Sequence, residues 1–328
     1  MAQTCGYGAA PYQPSEVADG WFKNSHRCRV LDEVFSYFDT DPCNRKKLPV
    51  VIFLHGNPTS SILWRKVIPH IESEARCLAP DLIGMGRSSK RENHQYRFED
   101  HYKYLEAWIE GMQSTNNINK VPKKISFVGH EWGAALAFHW SKMHPDRVTS
   151  IIHMESLCFV VPSWKYYTHD VQVGLRAIRS ETGEALVLSN NYFIDRVLPG
   201  AIINKLSDDE YNAYREPFIN PGEDRRPCLT WAREIPIRGE GPADVEKIVD
   251  DFYKYFCKAT NIPKLYIEAS EGIVGEEGKK IMGKWPNQQW KTLKGINYVM
   301  LDSPTECGEA IRDFLKYSVF NKHHHHHH

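Results

Sequence analysis

The apolar positions of the chain fall into short unbroken runs separated by stretches of helical spacing. The first strong run is Leu48-Pro49-Val50-Val51-Ile52-Phe53-Leu54, stopped by Gly56. A run of this length without polar alternation predicts a strand buried on both faces, as in a parallel sheet. Arg76-Cys77-Leu78-Ala79-Pro80-Asp81 predicts a second strand, ending in the loop from Leu82 to Arg87. His101 to Gly111 suits a helix. Lys124-Ile125-Ser126-Phe127-Val128 predicts a third strand, running through a tight turn into a helix from Ala134 to Met143. Thr149-Ser150-Ile151-Ile152-His153-Met154 predicts a fourth. Strands alternating with helices indicate βαβ units and a mostly parallel sheet.

The pattern changes near Phe159. From there to about Ile235 the chain has helical periodicity and many charges, with Leu186 to Leu198 and Asp208 to Phe218 as helix candidates. Strand character returns at Lys264-Leu265-Tyr266-Ile267-Glu268 and again near Trp290-Lys291-Thr292-Leu293. The expected organisation is one α/β core, residues 25–158 and 236–322, with a helical cap inserted over 159–235. Two sequential domains are the alternative. Residues 1–24, polar and rich in Pro and Gly, are expected to form a flexible N-terminal segment. His323 to His328 are a histidine tag and take no part in the fold.

Composition narrows the function classes. The 41 basic and 41 acidic residues cancel, so nothing favours nucleic acid or an anionic membrane surface. No apolar run reaches the roughly 18 residues of a membrane span, and the N-terminus lacks the apolar stretch of a signal peptide. A cytoplasmic protein is expected. The eight cysteines (Cys5, Cys28, Cys43, Cys77, Cys158, Cys228, Cys257 and Cys307) form no C-x-x-C pair and no zinc spacing, so free thiols and no metal are expected. Gly84-Met85-Gly86 lacks the third glycine of a dinucleotide motif and reads as a tight loop. No cofactor is expected, and a monomer is the default.

Val128-Gly129-His130-Glu131-Trp132-Gly133-Ala134 has the small-x-nucleophile-x-small pattern of a nucleophile elbow, in which a sharp strand-to-helix turn lifts the central side chain above the sheet edge. Its central residue is Glu131, a carboxylate where a serine often stands. His55-Gly56-Asn57-Pro58 follows the first strong strand, where such folds supply donors to an anionic centre. The Asn57 amide and the Trp132 indole are therefore expected to converge on one point of a buried site.

Together these stretches, with Pro80-Asp81-Leu82-Ile83-Gly84-Met85-Gly86 and Asp100-His101-Tyr102-Lys103-Tyr104-Leu105, resemble the haloalkane-dehalogenase and Renilla-type-luciferase group of the α/β-hydrolase superfamily. The resemblance covers most of residues 25 to 320. It extends through the cap at Asn190-Asn191-Tyr192-Phe193, Glu216-Pro217-Phe218, Arg225-Arg226-Pro227 and Arg233-Glu234-Ile235-Pro236, and is closest on the luciferase side. It implies an α/β-hydrolase fold with an inserted helical lid, and five site positions. The nucleophilic carboxylate, normally Asp, falls on Glu131. The halide or oxyanion donors fall on Asn57 and Trp132. The acid that orients the base falls on Glu155, and the base, normally His, falls on Asn297.

Two of these depart from the family. Glu131 carries one methylene more than Asp, which moves its carboxylate by roughly 1 Å, a displacement able to cost on the order of 100-fold. Asn297 cannot accept a proton near neutral pH, and between His169 and the tag the chain has no histidine. An ester on the enzyme would persist without a base to activate water. The resemblance then implies a luciferase, oxidising a coelenterazine-type imidazopyrazinone with O2 as co-substrate and no cofactor. A dehalogenase-like hydrolase of impaired turnover remains an alternative, as does a non-catalytic binder or inactivated enzyme. In each case the expected partner is a small aromatic or apolar molecule.

Overall fold

The computed structural model describes residues 10–321; residues 1–9 of the N-terminal segment and the whole tag lie outside the described residues. Eight strands form one sheet among them. These are β1 (Ser25–Val30), β2 (Glu33–Asp39), β3 (Val50–Leu54), β4 (Arg76–Pro80), β5 (Ile125–His130), β6 (Val148–Met154), β7 (Lys264–Ala269) and β8 (Gln288–Leu293). Their spatial order is β1-β2-β4-β3-β5-β6-β7-β8. β2 is antiparallel to both of its neighbours, and every other adjacent pair is parallel. The helices are α1 (Glu16–Phe22), α2 (Phe98–Ser114), α3 (Trp132–Met143), α4 (His169–Arg179), α5 (Leu198–Gly200), α6 (Asp208–Arg215), α7 (Arg226–Glu234), α8 (Ala243–Lys258), α9 (Glu276–Gly283), α10 (Val299–Asp302) and α11 (Pro304–Asp313).

The continuous apolar runs are the central strands. Every residue of β3, β4 and β5 is buried, because helices cover both faces of a parallel sheet. The hairpin β1–β2 carries no such run. Its first strand, Ser-His-Arg-Cys-Arg-Val, is half exposed at the sheet edge, so its periodicity does not stand out from a loop. Two expected helices are also broken. Leu186 to Leu198 forms two wide turns, Glu184–Ser189 and Phe193–Val197, interrupted where Asn191 adopts φ 53°. The helix begun at Asp208 ends at Arg215 and continues only as a tighter turn, Glu216–Phe218, since Pro217 has no N–H to donate.

The N-terminal segment is not loose throughout. Ser15 caps α1, and the Glu16 and Val17 N–H groups both donate to the Asp209 carboxylate at 2.8 Å. Trp21 stacks on Phe38 with ring centroids 3.8 Å apart. Ordered chain thus begins ahead of residue 25.

No named strand lies between Met154 and Lys264. α4 to α7 and their connecting turns sit above the C-terminal ends of the parallel strands, and α8 returns to the core by packing on α3 through Phe138, Phe252 and Phe256. The cap is tied down at defined points. Arg179 donates to the carbonyls of Ala232, at 3.0 Å, and Ile235, at 2.8 Å, closing the C-terminal end of α7. Glu234 accepts from the Phe98 N–H at 2.9 Å and from Arg97 at 3.1 Å, joining the cap to the N-terminus of α2, where a carboxylate also meets the positive end of the helix dipole. No helix among the described residues is long and apolar enough to cross a membrane. The seven described cysteines are unbonded, and Cys5 lies outside the described residues.

Candidate active site

The turn after β5 is a nucleophile elbow in its geometry. Glu131 adopts φ 55°, ψ −118° between strand and helix, a conformation that a non-glycine residue holds only when its surroundings enforce it. The flanking glycines make the close approach possible. A Cβ at Gly133 would lie 2.2 Å from the Leu54 carbonyl oxygen, and one at Gly129 would lie 2.6 Å from Ala134 Cα.

The elbow places Glu131 on the wall of a cavity of about 250 Å3. The floor comes from the loops after β3, β5, β6, β7 and β8, which contribute Asn57, Glu131, Trp132, Leu157, Ile273 and Asn297. α4, the turn Phe193–Val197 and α7 roof it, largely with aliphatic and aromatic side chains. Asp170 and Arg196 are charged cap residues that also line it. A mostly apolar hollow with a few grouped polar groups is the usual form of a small-molecule site.

Glu131 Oε1 accepts the Asn57 backbone N–H at 2.8 Å. Burial pushes its carboxyl up to about 7, against the opposing pull of the Asn57 and Trp132 backbone N–H groups and the adjacent Asn297 amide. The group is thus close to half ionised at neutral pH, the condition suited to general acid–base work.

The expected donor pair does not converge. Asn57 Nδ2 donates to the Cys228 carbonyl at 3.0 Å, and Trp132 Nε1 donates to the Trp231 carbonyl at 3.1 Å. Both residues border the cavity, yet both N–H groups point at α7. Carbonyls in the last turn of a helix lack intrahelical partners, and the Trp132 indole, stacked on Trp231 at 4.5 Å, satisfies one of them. A buried donor takes the nearest acceptor, and the cap presents one.

Asn297 has also acquired a partner that sequence reading missed. His130 Nε2 lies 2.9 Å from Asn297 Oδ1 and 3.0 Å from the Asn297 carbonyl oxygen. Both are acceptors, so Nε2 carries the proton, and burial holds the imidazole near pKa 4 and neutral. His130 therefore fixes the Asn297 amide and does not replace the absent base. Glu155, with φ 44°, accepts the Ile273 N–H at 3.2 Å and forms no hydrogen bond with Asn297. The geometry does not join the expected acid to the expected base position: the Asn297 side chain is engaged by His130 and by Glu131 instead. Glu155 Oε1 has no hydrogen-bond partner among the described residues, and burial pushes this carboxyl up to about 8.

Two tyrosines complete the surroundings. Tyr298 donates to the Asn57 carbonyl at 2.9 Å, fixing the loop after β3. Tyr167 lines the cavity, and its buried hydroxyl has no hydrogen-bond partner among the described residues. Neither carries a local sequence signal, since each reaches the site through the folding of a distant segment.

Comparison with known proteins places this geometry. Residues 49–295 match the alpha/beta hydrolase fold family. The chain is similar to a coelenterazine h 2-monooxygenase of Renilla reniformis, with 43% identity covering 95% of this chain and 97% of the relative. It is also similar to a haloalkane dehalogenase of Mycolicibacterium smegmatis, 40% identical over 81% of this chain and 84% of that protein. Among solved structures, haloalkane dehalogenase DbeA from Bradyrhizobium elkani USDA94 superposes with TM-score 0.81 and 34% identity, covering 89% of this chain and 97% of that one.

Proposed function

Because the chain belongs to the α/β-hydrolase fold family, in its group of haloalkane dehalogenases and coelenterazine monooxygenases, we propose that it is a cofactor-independent coelenterazine luciferase. The observation that carries this reading is the state of position 297. An amide held by His130 cannot activate water, so a hydrolytic cycle through a Glu131 ester has no second half. The side-chain donors that would receive a leaving halide are engaged with α7, which weakens the first half as well.

Oxidative decarboxylation asks for neither step. The imidazopyrazinone loses a proton, O2 adds to the resulting anion, and the peroxide closes to a dioxetanone. Loss of CO2 then leaves an excited amide that emits light. The electrons come from the substrate, so no cofactor is required. Glu131, poised near neutrality beside an apolar cavity, is the group to take the substrate's proton, and the apolar cap side chains over the cavity keep water from the emitting product. Asn57, Trp132 and Asn297 line the binding site, and Glu155 lies behind it. The partner is a small aromatic molecule, and the balanced charge of the chain favours neither nucleic acid nor an anionic membrane.

The test is to mix the protein with coelenterazine h and record light, beside halide release from a bromoalkane. Catalytic light with no sustained halide release is the expected result. Sustained halide release without light would replace this reading with a hydrolase, and neither signal would replace it with a binder.

A further inference from the structure

The two expected side-chain donors, Asn57 Nδ2 and Trp132 Nε1, are directed at carbonyls of α7. The amide of Asn297 is turned the other way. His130 Nε2 stands 3.0 Å from the Asn297 carbonyl oxygen and 2.9 Å from the side-chain oxygen Oδ1. The main-chain oxygen can only accept, so Nε2 carries the proton, and the side-chain atom that shares it must be the amide oxygen. The NH2 end therefore faces away from His130. It lies beside the Glu131 carboxyl, and both residues line the cavity. Asn297 Nδ2 is not among the buried polar atoms of the described residues that lack a partner. Its two N–H groups can serve Glu131 and a ligand together. The amide is also anchored. The Asn297 main-chain N–H donates to the Ala201 carbonyl at 3.3 Å, and Tyr298 beside it donates to the Asn57 carbonyl at 2.9 Å. His130 is fully buried, with its ring 5.2 Å from that of Tyr298.

We propose that Asn297 is a catalytic residue that donates an Nδ2–H to the oxygen of the ionised substrate, and that His130 is the positioning residue that keeps this N–H turned to the cavity. This rests on the luciferase reading above. The substrate's acidic proton passes to the Glu131 carboxylate: its bond to the substrate breaks, a bond to a Glu131 oxygen forms, and the electron pair left behind is delocalised onto the substrate oxygen. Asn297, next to Glu131, meets that charge as it develops and neither gains nor loses a proton. A donor already fixed through main chain and side chain stabilises developing charge without reorganising. The residue that ends hydrolysis is then the one that supports oxidation.

The ionised imidazopyrazinone has the more extended conjugation and absorbs at longer wavelength than the neutral molecule. The pKa of the bound substrate can therefore be read without oxygen and without light. Glu131 changes charge near 7, and Glu131→Gln removes it from the titration. Of the other groups around the site, burial holds His130 near 4 and neutral, and pushes Tyr167 and Tyr298 well above their ordinary range. Glu155, behind the site, changes near 8. It is common to every variant below, as are Asp170 and Arg196 of the cap, so these groups cancel in the comparison.

Coelenterazine h bound without oxygen to Glu131→Gln should ionise about one pH unit lower than when Asn297→Leu is added. That is about tenfold in the ionisation constant, the effect of losing one hydrogen bond to a charged group. Asn297→Leu leaves the residue 297 carbonyl for His130, so His130 keeps a partner. In the same Glu131→Gln background His130→Leu should raise the substrate's pKa by a similar amount. His130→Gln, whose side-chain N–H can stand in for that of the imidazole, should restore it. With Glu131 intact, Asn297→Leu should lower kcat for light about tenfold and leave KM nearly unchanged, because the donor acts on the anion. An ionisation unmoved by Asn297→Leu, or a loss confined to KM, overturns the role of Asn297. Equal values for His130→Leu and His130→Gln overturn that of His130. Absence of light from the unmodified protein in air would instead remove the luciferase reading.

Discussion

Replacing Asn297 with His should not by itself make an efficient dehalogenase, and the structure gives the reasons in numbers. The new imidazole would stand where a base is needed, and His130 would still meet the residue 297 carbonyl, now 3.0 Å away. General base catalysis contributes roughly 100- to 10,000-fold, all of it in hydrolysis of the ester. Alkylation remains slow for two independent reasons. Freeing Asn57 Nδ2 and Trp132 Nε1 from the Cys228 and Trp231 carbonyls to receive a halide costs about 1–3 kcal/mol in total, at roughly 0.5–1.5 kcal/mol per bond. Glu131 also presents its carboxylate about 1 Å beyond the reach of the family's Asp, worth on the order of 100-fold. Glu131→Asp with Asn297→His should therefore exceed Asn297→His in steady-state turnover by up to about 100-fold. Glu131→Asp alone should release no more than about one halide per chain, since its ester cannot be hydrolysed. The two sites act in turn on one intermediate, so their effects should be strongly non-additive. The assay is halide release from a bromoalkane for all four proteins, with mass spectrometry of the alkylated chain. Equal turnover of Asn297→His and the double variant would show that reach at position 131 does not limit. Sustained release by the unmodified protein would refute the premise that position 297 must supply the base.

The Glu131 carboxyl also couples to stability. Its folded value lies near 7 against 4.5 when exposed, so the folded state binds the proton more tightly and stability is lost as pH rises from about 4.5 to about 7. Glu131→Gln should leave Tm near that of the unmodified protein at pH 4 and raise it at pH 8, where it should add stability on the order of 3 kcal/mol; equal shifts at both pH values would contradict the assignment. Trp132→Phe keeps the stack on Trp231 but removes the indole N–H from its carbonyl. It should cost about 1 kcal/mol, read as a lower Tm, and raise KM for coelenterazine h more than it lowers kcat by loosening α7. An unchanged Tm would mean that the indole serves the cavity and not the cap.

The core strands and the elbow were legible in the chain itself. Unbroken apolar runs such as Val50 to Leu54 and Ile125 to Val128 admit few placements besides a doubly covered sheet, and Gly129 and Gly133 around Glu131 leave little choice of turn. The β1–β2 hairpin was not legible, since an edge strand open to solvent has no apolar run to display. The departures at 131 and 297 were equally plain, because residue type alone decides whether a side chain can take a proton. What the sequence could not express is which partner each polar group finds. Asn57 and Trp132 turn to carbonyls 171 and 99 residues away, Asn297 is held by a histidine 167 residues before it, and Tyr167 enters the site from the cap. Hydrogen bonds are short-ranged and directional, so their pairing is settled only when folding brings distant segments to within about 3 Å. The cap's position, fixed by packing and not by any motif, therefore decided which donors remained for a ligand.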